Sequence, residues 1–301
     1  MKNGEMSMGL IKSKQPVDDI FARQEENNPK DPKRVVFLSV EGENTEVHYF
    51  KHLNSCTMPN NIILKIEVLE RTEGSKSALK NIYELLLEYE RIRDGDIADE
   101  LNLTQAMGRH SPEAIEALLR KSPTDELTDA EKLICKDLQV AALDLQYRKY
   151  IKRMSRGDND IVAMVVDCDF NNQAKRRSEL EKYNQYCNDK GFGLHITNPC
   201  FEFWLLLHLS DVADDYKDSL DAIESNKRMS TSKKSQKFVA KQVSEKAGHK
   251  KTISREKFEA HYLPQISTAM ARSNDFATTL PEVLDNIGTN LPDLLRKLGF
   301  M

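Results

Sequence analysis

The chain has 301 residues, 39% hydrophobic and 31% charged, with a formal net charge of −4, which suits one elaborated globular domain or two small ones. No apolar run approaches the roughly 20 residues of a membrane-spanning helix, and the polar opening stretch lacks the apolar segment of a secretory signal. A cytoplasmic protein that does not engage a membrane is expected. The five cysteines, Cys56, Cys135, Cys168, Cys187 and Cys200, form no C-x-x-C pair, and reduced thiols fit this better than a zinc site or a disulfide framework.

Residues 1–33 read as a flexible leader, with Asn28-Pro29 and Asp31-Pro32 marking the entry to regular structure. A β-branched apolar run, Arg34 to Val40, predicts a first strand that stops at Glu41-Gly42-Glu43. Asn44 to Asn54 predicts a helix with Tyr49, Phe50 and Leu53 inward and Asn44 or Thr45 as its cap. Asn61 to Leu69 predicts a second strand, and Ser75 to Arg93 a helix with Leu79, Ile82, Tyr83, Leu86, Tyr89 and Ile92 on one face. Residues 95–156 are polar and carry no strand signal; Pro112 and Pro123 divide them into helices over Pro112–Arg120 and Thr128–Met154.

A third strand, Ile161 to Val166, stops at Asp167-Cys168-Asp169. A helix from about Asn172 to Lys190, a glycine turn and a short strand at Leu194–Thr197 follow. Asn198 and Pro199 then read as the N-cap and first residue of a helix that runs through His208 and is apolar on every side, so it should be buried. Further helices are predicted over Ser254–Ala271 and Leu291–Leu298. Strands alternating with helices predict an α/β fold with a mainly parallel sheet. Residues 34–94 and 157–225 would form its core, 95–156 a helical insertion, and 226–301 a basic segment with C-terminal helices.

In such a sheet, ligands bind just outside the carboxyl ends of the strands. The first and third strands both end in acids, so Glu41, Asp167 and Asp169 would meet there. Clustered carboxylates suit Mg²⁺ or Mn²⁺, and Glu202, at the start of the buried helix, is a fourth candidate ligand. Gly42 would allow a sharp turn and close approach by a phosphate. Glu43 and Glu46 would add nearby charge, or only complement the helix N-terminus. His208, Phe203 and Trp204 read as core residues rather than ligands or nucleobase platforms. Neither a G-x-x-x-x-G-K-[ST] loop nor a G-x-G-x-x-G turn is present.

Between Asn226 and Lys257 eleven Lys or Arg stand against two Glu, a local balance of +9 in a chain of net −4. Such a segment suits a phosphate backbone, with Lys233, Lys234, Lys237, Lys250 and Lys251 as candidate contacts. The alternative is a solvated lysine-rich loop.

Three stretches carry a family resemblance. Glu41-Gly42-Glu43-Asn44-Thr45-Glu46-Val47-His48-Tyr49-Phe50, Val166-Asp167-Cys168-Asp169-Phe170 and Asn198-Pro199-Cys200-Phe201-Glu202-Phe203-Trp204-Leu205-Leu206-Leu207-His208 resemble the motifs of RloB-like proteins within the wider Toprim group. Gly288-Thr289-Asn290-Leu291 is a fainter match, and residues 95–156 are outside the resemblance. It implies a Toprim-like fold in which Glu41 serves acid/base chemistry and Asp167 and Asp169 hold Mg²⁺. It further implies a bacterial anti-phage effector nuclease working with an ABC-type or AAA-like ATPase subunit. Cys168 and Asn171 stand where more charged residues are expected, which implies weaker metal binding or a single ion.

The leading expectation is therefore a metal-dependent endonuclease acting on DNA or RNA, tRNA included. A non-catalytic regulatory subunit with a vestigial metal site is the alternative, and nucleotidyl or phosphoryl transfer is a third without a nucleotide motif to support it. Whether the protein forms a homo-oligomer is left open.

Overall fold

The computed structural model describes residues 34–42, 44–55, 64–68, 79–94, 101, 103–121, 126–140, 145, 160–168, 173–232, 235–249 and 251–300. The predicted apolar runs form strands β1 (Arg34–Val40), β2 (Leu64–Val68), β3 (Ile161–Asp167) and β4 (Gly193–Asn198). They pair in parallel in the order β2-β1-β3-β4, and a two-residue strand, β5 (Gly288–Thr289), adds an antiparallel edge. From β1 the chain moves outward to β2 and then returns to place β3 on the other side of β1. The carboxyl ends of β1 and β3 thus frame the point where strand order reverses, the position at which open α/β sheets bind ligands.

Register decides what each face buries. Leu38 lies beside Ala163 and Val40 beside Val165, and these side chains share one hydrophobic core with helix α1 (Thr45–Ser55) and helix α7 (Phe201–Leu209). The opposite face presents Met164, whose sulfur receives the Cys187 thiol at 3.6 Å from helix α6 (Gln173–Lys190). Helix α2 (Leu79–Asp94) buries Leu79, Ile82, Tyr83 and Leu86 as its spacing predicts.

The chain divides into two compact units. One comprises Lys33–Val68, Lys76–Tyr83 and Ile161–Met301 and contains the sheet; the other comprises Met1–Pro32, Leu69–Ser75 and Glu84–Asp160. In the second unit the described helices α3 (Leu103–Met107), α4 (Pro112–Arg120) and α5 (Asp129–Asp137) close over Ala106, Ile115, Leu118, Ile134, Cys135, Leu138 and Leu145. Asp137 accepts from Arg109 at 2.7 Å and His110 at 2.8 Å, so this carboxylate is held below its ordinary pKa, chiefly by the His110 hydrogen bond. The helix expected over Thr128–Met154 is interrupted after Asp137: Thr128 and Glu131 form a capping box at its start, and Gln139 turns left-handed at φ 57° beyond Asp137. Leu145 is again helical, and residues 141–144 and 146–154 lie outside the described residues.

Helix α7 is buried on all sides as expected, but it starts differently. The Asn198–Pro199 bond is cis, and the helix begins at Phe201 with Cys200 in the N-cap position and no side-chain cap of its own. Asn198 does not cap; its amide donates to Val283 O at 2.7 Å. His208 is a core histidine, as read from the sequence. Its Nδ1–H donates to Trp204 O at 2.9 Å, leaving Nε2 to accept from the Tyr49 hydroxyl at 3.3 Å. Burial pushes its pKa down to about 3, so the ring stays neutral.

The C-terminal elements are more numerous than predicted. Helices α8 (Val212–Asp215), α9 (Leu220–Ser225) and α10 (Phe238–Ala247) precede a winding run that opens at Arg255 and passes through π and 3-10 turns around Pro264 into α12 (Ile266–Arg272). We label its opening turn, Arg255–Lys257, α11. Helix α13 (Leu280–Asp285) leads to β5, and α14 (Leu291–Lys297) follows it. None of the helices among the described residues is long and apolar enough to cross a membrane.

Asn290 pegs this region to β4. Its side-chain amide donates to Leu194 O at 3.0 Å and its carbonyl accepts from Ile196 N at 2.6 Å, mimicking one more strand residue. Gly288 must be glycine here, because a Cβ would stand 2.0 Å from Ala277 O. Gly288→Ala is expected to lower unfolding free energy by about 2–3 kcal/mol, measured by urea denaturation; an unchanged midpoint would contradict this packing.

Candidate functional site

The site starts from two strand ends. Past β1, the Glu41 amide donates to Val165 O at 3.0 Å, continuing the β1–β3 pairing by one residue. Its side chain therefore lies beside Asp167, and Glu41 Oε2 accepts from the Asp167 amide at 2.9 Å. Asp167 itself reaches across to α7, where its Oδ1 accepts from the Phe201 amide at 2.8 Å. The cap that α7 lacks locally is thus supplied by a carboxylate from β3, favoured by the partial positive charge of a helix start.

Arg176, from the first turn of α6, closes the arrangement. Its NH2 group is ion-paired with Glu41 Oε2 and also donates to Asp167 O at 2.6 Å, while Nε reaches the same carbonyl at 3.2 Å. One guanidinium therefore ties together the ends of β1 and β3.

Glu46, in the first turn of α1, folds back so that its Oε1 accepts from the Gly42 amide at 3.1 Å. The space left by the missing Cβ of Gly42 is taken by this carboxylate, since a Cβ would stand 1.9 Å from Glu46 Oε2. Glu202, in the first turn of α7, completes the cluster. Burial first, then the charges of Glu202 and Glu41, push Glu46 up to about 7. Asp167 is driven well above the carboxylate range by burial, then by Glu46, Glu41 and Glu202. The charges of Glu41 and Glu202 therefore oppose ionisation of both Glu46 and Asp167.

Buried carboxylates that repel one another call for a counter-charge, and their chemistry fits a hard divalent cation. Among the described residues, no three His, Cys, Asp or Glu side chains are gathered closely enough to hold a metal as they stand. Glu41 is turned toward Arg176 and Asp167 toward Phe201, so the donors converge in field rather than around one point. Asp169 lies outside the described residues.

Part of the basic segment is regular and part is exposed loop: residues 227–232 are exposed and outside helices and strands, and residues 238–247 form α10. Arg228 and Lys237 make an isolated antiparallel bridge, with Met229 N donating to Gln236 O and Phe238 N to Lys227 O, both at 3.0 Å. Helix α10 then buries Val239, Val243 and Ala247 against the main core. Asn226 anchors the start of α10: its Oδ1 accepts from Val239 N at 3.1 Å and its Nδ2 donates to Cys200 Sγ at 3.2 Å. The Cys200 thiol is pushed well up by burial, then by Glu202 and Asp167, with Lys237 acting the other way. Lys237 is thus close enough to act on Cys200, the residue before α7. On the other side, Lys251 O accepts from the Thr45 hydroxyl at 3.2 Å, placing the exposed Lys251 beside the start of α1. Lys233, Lys234 and Lys250 lie outside the described residues.

Two participants were not singled out from the sequence or were under-weighted there. Glu46 is a full member of the cluster. Arg176 went unnoticed, although Lys175-Arg176-Arg177 places three cations at a helix start that carries no acid, against the helix dipole.

The family model of RloB-like proteins matches residues 36–298, and the chain belongs to this family. No curated protein and no solved structure matches it.

The raised Glu46 pKa has a direct consequence. Its contribution is fully favourable below the ordinary carboxylate value of 4.5 and is lost as pH rises through about 7. Glu46→Gln keeps an acceptor for the Gly42 amide but removes the charge. At pH 8 in EDTA it should be more stable than the parent by about 2 kcal/mol, with the difference vanishing near pH 4.5. Equal thermal stability of the two at pH 8 would contradict the mutual repulsion.

Proposed function

We propose that this RloB-like protein is a divalent-metal-dependent nuclease. The observation that carries the reading is the meeting of Glu41, Glu46, Asp167 and Glu202 at the strand-order reversal, in a chain whose basic segment contains α10. Asp167 and Glu202, with Asp169, would hold Mg²⁺ or Mn²⁺. When bound, such an ion stabilises charge on a phosphodiester and lowers the pKa of water. Glu41, fixed by the Asp167 amide and Arg176, is placed to take a proton from the attacking water or return one to the leaving oxygen. Lys237 and Lys251 would follow the nucleic-acid backbone, whose phosphates DNA and RNA share. Cysteine nucleophilicity finds no support, because the Cys200 thiol is buried and its pKa is raised.

The resemblance also supports a place in a bacterial anti-phage system with an ABC-type ATPase partner, in which this chain is the effector. A second reading, a regulatory subunit with a vestigial site, is favoured by one observation: the Glu41 carboxylate is paired with Arg176 and, among the described residues, no three ligands stand ready.

Glu41→Gln discriminates between them. Incubated with Mg²⁺, plasmid DNA and total tRNA, the parent should cleave at least one substrate and the variant should be slower by about 10²–10⁴-fold, with its melting temperature retained. Equal cleavage by both would remove Glu41 from the chemistry; no cleavage by the parent, even with its ATPase partner, would favour the regulatory subunit.

A further inference from the structure

The Arg176 guanidinium has five N–H donors. Nε donates to Asp167 O, and the two NH2 hydrogens serve Asp167 O and Glu41 Oε2. The NH1 group has no protein acceptor among the described residues. The side chain is nevertheless only 13% exposed, so it is withdrawn from bulk water while two donors remain uncommitted.

Three features distinguish this arginine from an ordinary surface cation. It sits in the first turn of α6, where the helix dipole disfavours it. Its orientation is fixed by both strand ends, so the planar fork is held at little further entropic cost when it binds an acceptor. And it is ion-paired with Glu41 and bonded to the Asp167 carbonyl, next to carboxylates whose combined field repels an approaching phosphate. A nucleic acid entering the site needs a cation inside that field. Arg177, by contrast, is fully engaged on the surface with Glu181 and Asp285.

We propose that Arg176 is a phosphate-binding residue of the site. Nε and NH2 stay on the strand ends, while NH1 donates to a non-bridging oxygen of the backbone phosphate that lies against Glu41. The assignment rests on the nuclease reading and extends it: the same guanidinium that fixes Glu41 also registers the substrate on it. The recognised chemistry is a phosphodiester, common to DNA and RNA.

The test is equilibrium binding of a fluorescein-labelled single-stranded DNA 20-mer and an RNA 20-mer of the same sequence, in EDTA, across a salt series. For the parent, log affinity should fall linearly with log salt. Arg176→Gln should reduce that slope by about 0.7, the value of one single-strand phosphate contact. Arg176→Lys keeps the charge and so the slope, but loses the fork, and should weaken binding about tenfold at 0.1 M salt. A brace that only holds β1 to β3 would lower the melting temperature and leave both quantities unmoved. A parental slope retained in Arg176→Gln, or unchanged affinity in Arg176→Lys, overturns the assignment and leaves the nuclease reading standing. Failure of the parent to bind either probe overturns both.

Discussion

The interaction on which the rest of the site depends is the repulsion among carboxylates gathered where β1 and β3 end. Glu46 is buried and Asp167 half-buried, and loss of solvent is the largest single cause of their raised pKa values. Grouping them with Glu41 and Glu202 opposes folding and persists only where surrounding groups compensate. Two kinds of compensation are visible. The Phe201 and Gly42 amides donate to Asp167 and Glu46; the amide of Asp167 and the Arg176 guanidinium hold Glu41. A site built against its own electrostatics in this way is a familiar signature of function.

The scaffold makes this arrangement possible. A parallel sheet whose order reverses between β1 and β3 leaves a crevice at their carboxyl ends. Helix α7, apolar all round, is sunk in the core behind it and offers its N-terminal amides to Asp167. Because α7 takes its cap from β3, the start of the helix and the acidic strand end are fixed by one hydrogen bond. Asn226 then fastens the start of α10, in the basic segment, to Cys200, immediately before α7. The acidic and basic halves of the site are therefore joined through residues 198–202 rather than placed independently.

Much of this was legible from residue patterns. The β-branched runs marked the parallel strands, and the acids at their ends marked Glu41 and Asp167. Where the reading failed, the deciding contacts were distant in sequence. Asn198 was expected to cap α7, but its amide goes to Val283 and Asp167 takes the capping role; neither partner is local. Helix α10 was hidden because its lysines masked the spacing of Val239, Val243 and Ala247, which face the core. Strand β5 has two residues, too few for any periodicity, and is set by the Asn290 side chain on β4. Arg176 was missed because a polar helix explains its arginines without a partner; only the fold shows that Glu41 is that partner.

The central claim is that these carboxylates form a divalent-cation site. It is tested most directly by titrating Mn²⁺ into the protein and into Asp167→Asn at neutral pH and following free Mn²⁺ by electron paramagnetic resonance. The account predicts saturable binding by the parent, weakened by at least about tenfold in the variant. Absence of saturable Mn²⁺ binding by the parent, or equal affinity in the two, would contradict it.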